Sequence, residues 1–83
     1  MTALNNPKTL ATARFKQDAI KTAGSPDVAQ EIAVFVYGWN EALLAEGLID
    51  RPTWEALRAE ADAKLKQRLA WLNGVATYGE PAD

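Results

Sequence analysis

The stretch SPDVAQEIAVFVYGWNEALLAEGLIDRP, residues 25–52, decides the fold. Ser25, Pro26 and Asp27 make a helix start: a hydroxyl that caps free backbone N–H groups, a proline where no N–H is needed, and an acid beside the positive end of the helix dipole. Val28, Ile32, Phe35, Val36, Trp39 and Leu43 then recur at helical spacing. Ala33, Tyr37 and Leu44 fall about 130° away on a wheel of 3.6 residues per turn. Gly47 closes this helix, and Asp50 with Pro52 opens the next. The spacing predicts a helix over 26–46 that is apolar on two sides and must be covered on two sides. Gly38 in its middle costs roughly 1 kcal/mol relative to alanine, and close approach of another backbone would explain it. Leu48 and Ile49 are expected to tuck under the turn as an apolar plug.

Downstream, Trp54, Leu57, Ala61, Leu65, Leu69 and Leu72 keep one face of a third helix, expected over 52–72. Glu60 with Lys64, and Asp62 with Lys66, are acid-first pairs four residues apart. Asn73-Gly74 reads as a helix stop, so an irregular C-terminal tail is expected over 74–83, with Tyr78 folding back. Upstream, Asn6 and Pro7 start a first helix that Gly24 ends, giving 7–23. Its apolar face is read as Phe15, Ala19, Ile20 and Ala23, with Leu10 pointing elsewhere; so thin a face does not hold a lone helix. The expected fold class is all-α. One domain over 1–83 forms a small three-helix bundle built on the antiparallel hairpin of the second and third helices. The first helix is expected to leave part of the Ala33–Tyr37–Leu44 side uncovered.

The 83 residues suffice for one domain with a limited core, and 48% hydrophobic residues argue against global disorder. A formal charge of −2 is too near neutral to imply polyanion binding or anchoring to an anionic membrane. No run approaches the roughly 20 apolar residues that span a bilayer, and the start lacks the pattern of a secretion signal. A cytoplasmic location is expected by elimination. With no cysteine and no histidine, disulfides, thiolate metal sites and most nucleophile–base pairs are excluded. Ser25, the one serine, is explained by its cap. The carboxylate pairs Asp27/Glu31 and Glu46/Asp50 read as solvated helix ends. No catalytic residue, metal or cofactor is expected.

What remains is binding. A helix greasy on two sides beside a weak first helix predicts a protein-interaction module, either a homodimer or a binder, inhibitor or adaptor of a larger protein, as small accessory proteins of mobile genetic elements are. Tyr37, Leu44 and Trp71 are the aromatic and apolar candidates for the contact, and Arg58 and Arg68 flank the apolar face of the third helix. The alternative is a nucleic-acid-binding regulator using Lys8, Arg14, Lys16 and Lys21 of the first helix. The favoured reading of those cations is that they lie beside the acidic second helix and are offset by it.

Overall fold

The computed structural model describes residues 3–78. Three helices lie side by side: α1, Pro7–Asp18; α2, Pro26–Ala45; and α3, Arg51–Tyr78. No strand occurs among the described residues. None of these helices is long and apolar enough to cross a membrane.

The helix starts follow the local chemistry of the sequence. Asn6 accepts from the Lys8 backbone N–H at 2.8 Å with Pro7 behind it, and Ser25 accepts from the Val28 N–H at 3.2 Å with Pro26 behind it. Asp50 caps α3 by accepting from the Thr53 N–H at 3.0 Å. Asn5 reinforces that cap. Its amide donates to Asp50 at 3.1 Å and accepts from the Asp50 N–H at 3.2 Å, and its own N–H donates to the Leu48 carbonyl at 2.9 Å. Asn5 adopts φ 56°, a left-handed conformation that asparagine tolerates better than most residues.

The α2–α3 turn is built by Gly47, whose φ of 74° is the left-handed geometry that ends a helix. The Gly47 N–H donates to the Leu44 carbonyl and the Leu48 N–H to the Leu43 carbonyl, so two free carbonyls of α2 are satisfied. Leu48 packs back on the cluster around Leu43, and Ile49 is buried beneath the turn.

Four expectations about helix ends, the face of α1 and Gly38 need correction. First, α3 does not stop at Asn73-Gly74; it runs on to Tyr78. A glycine stops a helix by taking the left-handed conformation, and Gly74 does not take it. The expected irregular tail is thus helical as far as Tyr78; residues 79–83 and the Tyr78 side chain lie outside what is described. Second, α1 ends at Asp18, and the chain tightens into a 3-10 turn over Ala19–Thr22 before Ala23 becomes extended. Third, α1 is rotated relative to its expected face. Leu10, Ala13, Gln17 and Ile20 point inward, while Phe15 faces out at 77% exposure. Gln17 is accepted inside because it is fully hydrogen-bonded there. Fourth, nothing closes on Gly38, where an added Cβ would meet no atom within 4 Å.

The core forms two apolar clusters. Ala13, Leu43, Ile49 and Leu57 lie toward the α2–α3 turn; Ile20, Ala33, Val36 and Ala61 lie toward the other end. The buried seam of α2, with Ala29, Ala33, Val36, Asn40 and Leu43, runs between the two apolar sides read from the sequence. Tyr37 and Leu44 fall on the flank that packs with these clusters, so the side expected to lie open is closed within the chain. The opposite flank stays exposed, at Val28, Phe35 and, further round, Val34.

Candidate functional site

α1 and α2 run antiparallel, and small buried side chains at Ala13 of α1 and Ala33 of α2 let their inner faces close. Their outer flanks diverge into an open cleft of about 580 Å³. Its apolar lining is Phe15 and Ala19 from the α1 side and Ile32 and Phe35 from α2. Lys16, Asp18 and Glu31 supply its charges. Phe15 is 77% exposed and Phe35 57%, an unusual position for two phenylalanines in one small domain. Phe35 stacks with Trp39, ring centroids 6.5 Å apart. The Lys16 ammonium lies 4.3 Å from the Trp39 ring and 5.4 Å from the Phe35 ring, a cation–π contact on both. The cation therefore sits at the Trp39 end of the cleft, and Glu31 lies one helical turn beyond Phe35 at the other.

Tyr37, Leu44 and Arg58 are engaged across the α2–α3 interface. The Tyr37 hydroxyl donates to Asp62, and the Arg58 guanidinium lies 4.5 Å from the Tyr37 ring and 6.0 Å from that of Trp54. Burial, then the bond to Asp62, pushes the Tyr37 phenol up to about 12. Arg58 and Asp62 approach to 3.9 Å, so Asp62 pairs with Arg58 and Tyr37 where the sequence suggested Lys66. Leu44 packs on the cluster around Leu43 and Leu57. Arg68 donates from Nε to the Ala23 carbonyl at 2.8 Å, and its guanidinium lies 4.2 Å from the ring of Trp71, which is 55% exposed.

The cations of the first helix do not form one array. Arg14 makes a two-pronged contact with Glu60 of α3, both bonds 3.0 Å, so its charge is offset by α3 and not by α2 as the sequence suggested. That contact draws the Glu60 carboxyl below its usual range, with a further bond from Gln17 helping against burial, and raises Arg14. Lys16 turns to the aromatic rings, and Lys21 to Asp18 at 3.3 Å. Lys8 is held at the cap through its backbone. Lys64 bonds to Gln17 and lies 3.6 Å from Asp18, so the expected Glu60–Lys64 pair is replaced by contacts between helices.

Of the carboxylate pairs, Asp27 and Glu31 face a shallow surface with Gln30 and Val34, while Asp50 is committed to the α3 cap. The bonds from Thr53 and Asn5 hold the Asp50 carboxyl below its ordinary range. Among the described residues no group of three or more acidic side chains could hold a metal ion.

The cleft residues missed from the sequence are Phe15, Lys16 as a ring contact, and Phe35 as a surface group. The available signal was the 3-4-3 spacing of Leu10, Ala13, Gln17 and Ile20, which turns Phe15 outward once glutamine is admitted to the core. Comparison of the chain with protein-family models, with curated proteins and with solved structures gave no match.

Proposed function

We propose that this protein is a non-enzymatic helical docking module that pairs with a second copy of itself through the α1–α2 cleft. The observation that carries the reading is the exposure of Phe15 and Phe35 side by side on one face. Exposed apolar groups rimmed by charged ones mark sites where proteins meet, and aromatic residues, phenylalanine included, are enriched at such contacts.

The charges favour a second copy as occupant. Lys16 stands at one end of the cleft and Glu31 at the other, with the phenylalanines between. A two-fold axis through the Phe15–Phe35 pair exchanges the ends, so each Lys16 meets the other copy's Glu31 while the rings meet at the centre. An interface between identical patches requires such self-complementarity. Burying a phenylalanine contributes about 1.5–3 kcal/mol, so four rings offset an association cost of roughly 4–15 kcal/mol only narrowly. The dimer is therefore weak, dissociating at about micromolar concentration or above.

Sedimentation velocity tests this. The wild type is expected to move from the 9.0 kDa monomer toward twice that mass as concentration rises. The double variant Phe15→Ser/Phe35→Ser is expected to stay monomeric with unchanged helical circular dichroism. Lys16→Glu and Glu31→Lys should each weaken pairing and together restore it. A wild type that remains monomeric at the highest concentration, or a serine variant that unfolds, overturns the proposal.

A further inference from the structure

Away from the cleft, α3 and the 3-10 turn build a second feature. Lys64, Arg68 and Trp71 are spaced four and three apart on α3 and so share a face. Lys21, from the turn after α1, comes alongside them, and with Gln67 these residues line a pocket of about 280 Å³. We propose that this pocket binds a nucleotide unit, a phosphate joined to a flat base, with the base against Trp71 and the phosphate among Lys21, Lys64 and Arg68.

The charge balance is the first argument. Three cations converge here, and the carboxylate that pairs with them is Asp18, shared by Lys21 at 3.3 Å and Lys64 at 3.6 Å. No carboxylate among the described residues lies within ion-pair distance of Arg68. Two positive charges are left over at this spot in a chain whose formal charge is −2. The two charges of a terminal phosphate match that surplus, and the single charge of a diester link in a strand meets half of it.

The second argument is the state of Arg68. Its Nε is fixed by the Ala23 carbonyl at 2.8 Å and its guanidinium carbon lies 4.2 Å from the centre of the Trp71 ring. The terminal nitrogens of the fork stay available, in a side chain already ordered for a planar, two-pronged contact with phosphate oxygens. The third argument is Trp71, 55% exposed beside this charge. An acidic peptide would satisfy the cations and leave the indole in water. A nucleotide uses both, because any base can stack on an aromatic ring while lysine and arginine take its phosphate. The pocket lies just under the usual size range of ligand sites, roughly 300–1,000 Å³, which suits one nucleotide and not a larger cofactor.

The same chemistry comes from a free nucleotide or from a link in a single strand, and titration at low salt followed by tryptophan fluorescence separates them. The probes are adenosine monophosphate, an oligothymidylate of about ten residues, inorganic phosphate and hexaglutamate. Quenching by either nucleotide probe, with phosphate and hexaglutamate weaker by about tenfold or more, is the expected result. Quenching by the monophosphate assigns a free nucleotide, and by the oligonucleotide alone a strand. Trp71→Ala, read by anisotropy of a labelled probe, and Lys21→Gln should each weaken binding at least about threefold with unchanged helicity, and added salt should weaken it further. The proposal is overturned by the absence of binding at low salt, by hexaglutamate binding as well as the nucleotides, or by binding indifferent to Trp71→Ala.

Discussion

Two buried amides, Gln17 and Asn40, show how the same chemical group takes opposite energetic signs. Both are fully buried. Gln17 donates to the Leu57 carbonyl at 3.4 Å and to Glu60 at 3.2 Å, and accepts from Lys64. Asn40 lies on the seam of α2 between Val36 and Leu43, and neither its oxygen nor its nitrogen has a partner. An unsatisfied buried polar group costs about 1–3 kcal/mol, whereas a satisfied one contributes about 1 kcal/mol. Asn40→Leu keeps the branching of the side chain and removes the unpaired atoms; it is expected to raise stability by about 1–3 kcal/mol in urea unfolding. Gln17→Met keeps length and strands its partners, and should lower stability by about 1 kcal/mol. Equal signs for the two variants would refute this account. The amides also mark where sequence reading stopped. Periodicity sorts residues by polarity, so a glutamine on the inner face of α1 displaced the true register by about one residue and hid Phe15 from view as a surface group.

At the scale of the helices, boundaries were legible wherever one residue's local chemistry fixes them. Asn6, Ser25, Gly47 and Asp50 each do so through bonds to backbone within a few positions. The hairpin of α2 and α3 followed from them together with the stripe on α2. The end of α3 was not legible, because Asn73-Gly74 can stop a helix or continue it: glycine takes the left-handed and the helical conformation about equally readily. The two glycines of the hairpin divide the same way. Gly38 has open space around it and no left-handed backbone, so Gly38→Ala should add about 1 kcal/mol of stability. Gly47 at φ 74° holds the turn, and Gly47→Ala should cost about 1 kcal/mol. Thermal melts of the two variants check both; a stable Gly47→Ala would mean the turn can close without left-handed backbone.

For the molecule as a whole, α1 is tied to α3 by polar contacts as much as by apolar ones: Arg14 to Glu60, Gln17 to Glu60, and Lys64 to Asp18. Glu60 carries two of these ties, and its carboxyl titrates below its usual range chiefly because of Arg14. A lowered folded-state value means that the ionised form is the one folding favours. Its contribution is fully present above the ordinary glutamate range, near pH 4.5, and is lost as pH falls through the lowered value. Melting temperature should therefore drop less between pH 7 and pH 3 in Glu60→Gln than in the wild type, with the variant lower at pH 7 and the two curves converging in acid. Parallel curves would remove Glu60 from the account. This tie spans 46 residues of sequence, and no local pattern announces a partner at that distance. For the same reason the Lys21–Lys64–Arg68–Trp71 grouping could not be read from the chain, although Arg68, Trp71 and Lys21 each stood out singly.

The number of passes has a mechanical consequence. Asn5 is bonded to the α2–α3 turn at one end of the bundle, and Arg68 marks where α3 passes the start of α2 at the other. α3, with 28 residues against 20 in α2, then continues outward by roughly 12 Å at 1.5 Å per residue. Three being odd, the polypeptide enters at one pole and departs from the opposite one. Tension between residues 5 and 78 would pull along the helix axes and make the rods slide past one another instead of peeling apart, and units joined in series would string out in a line.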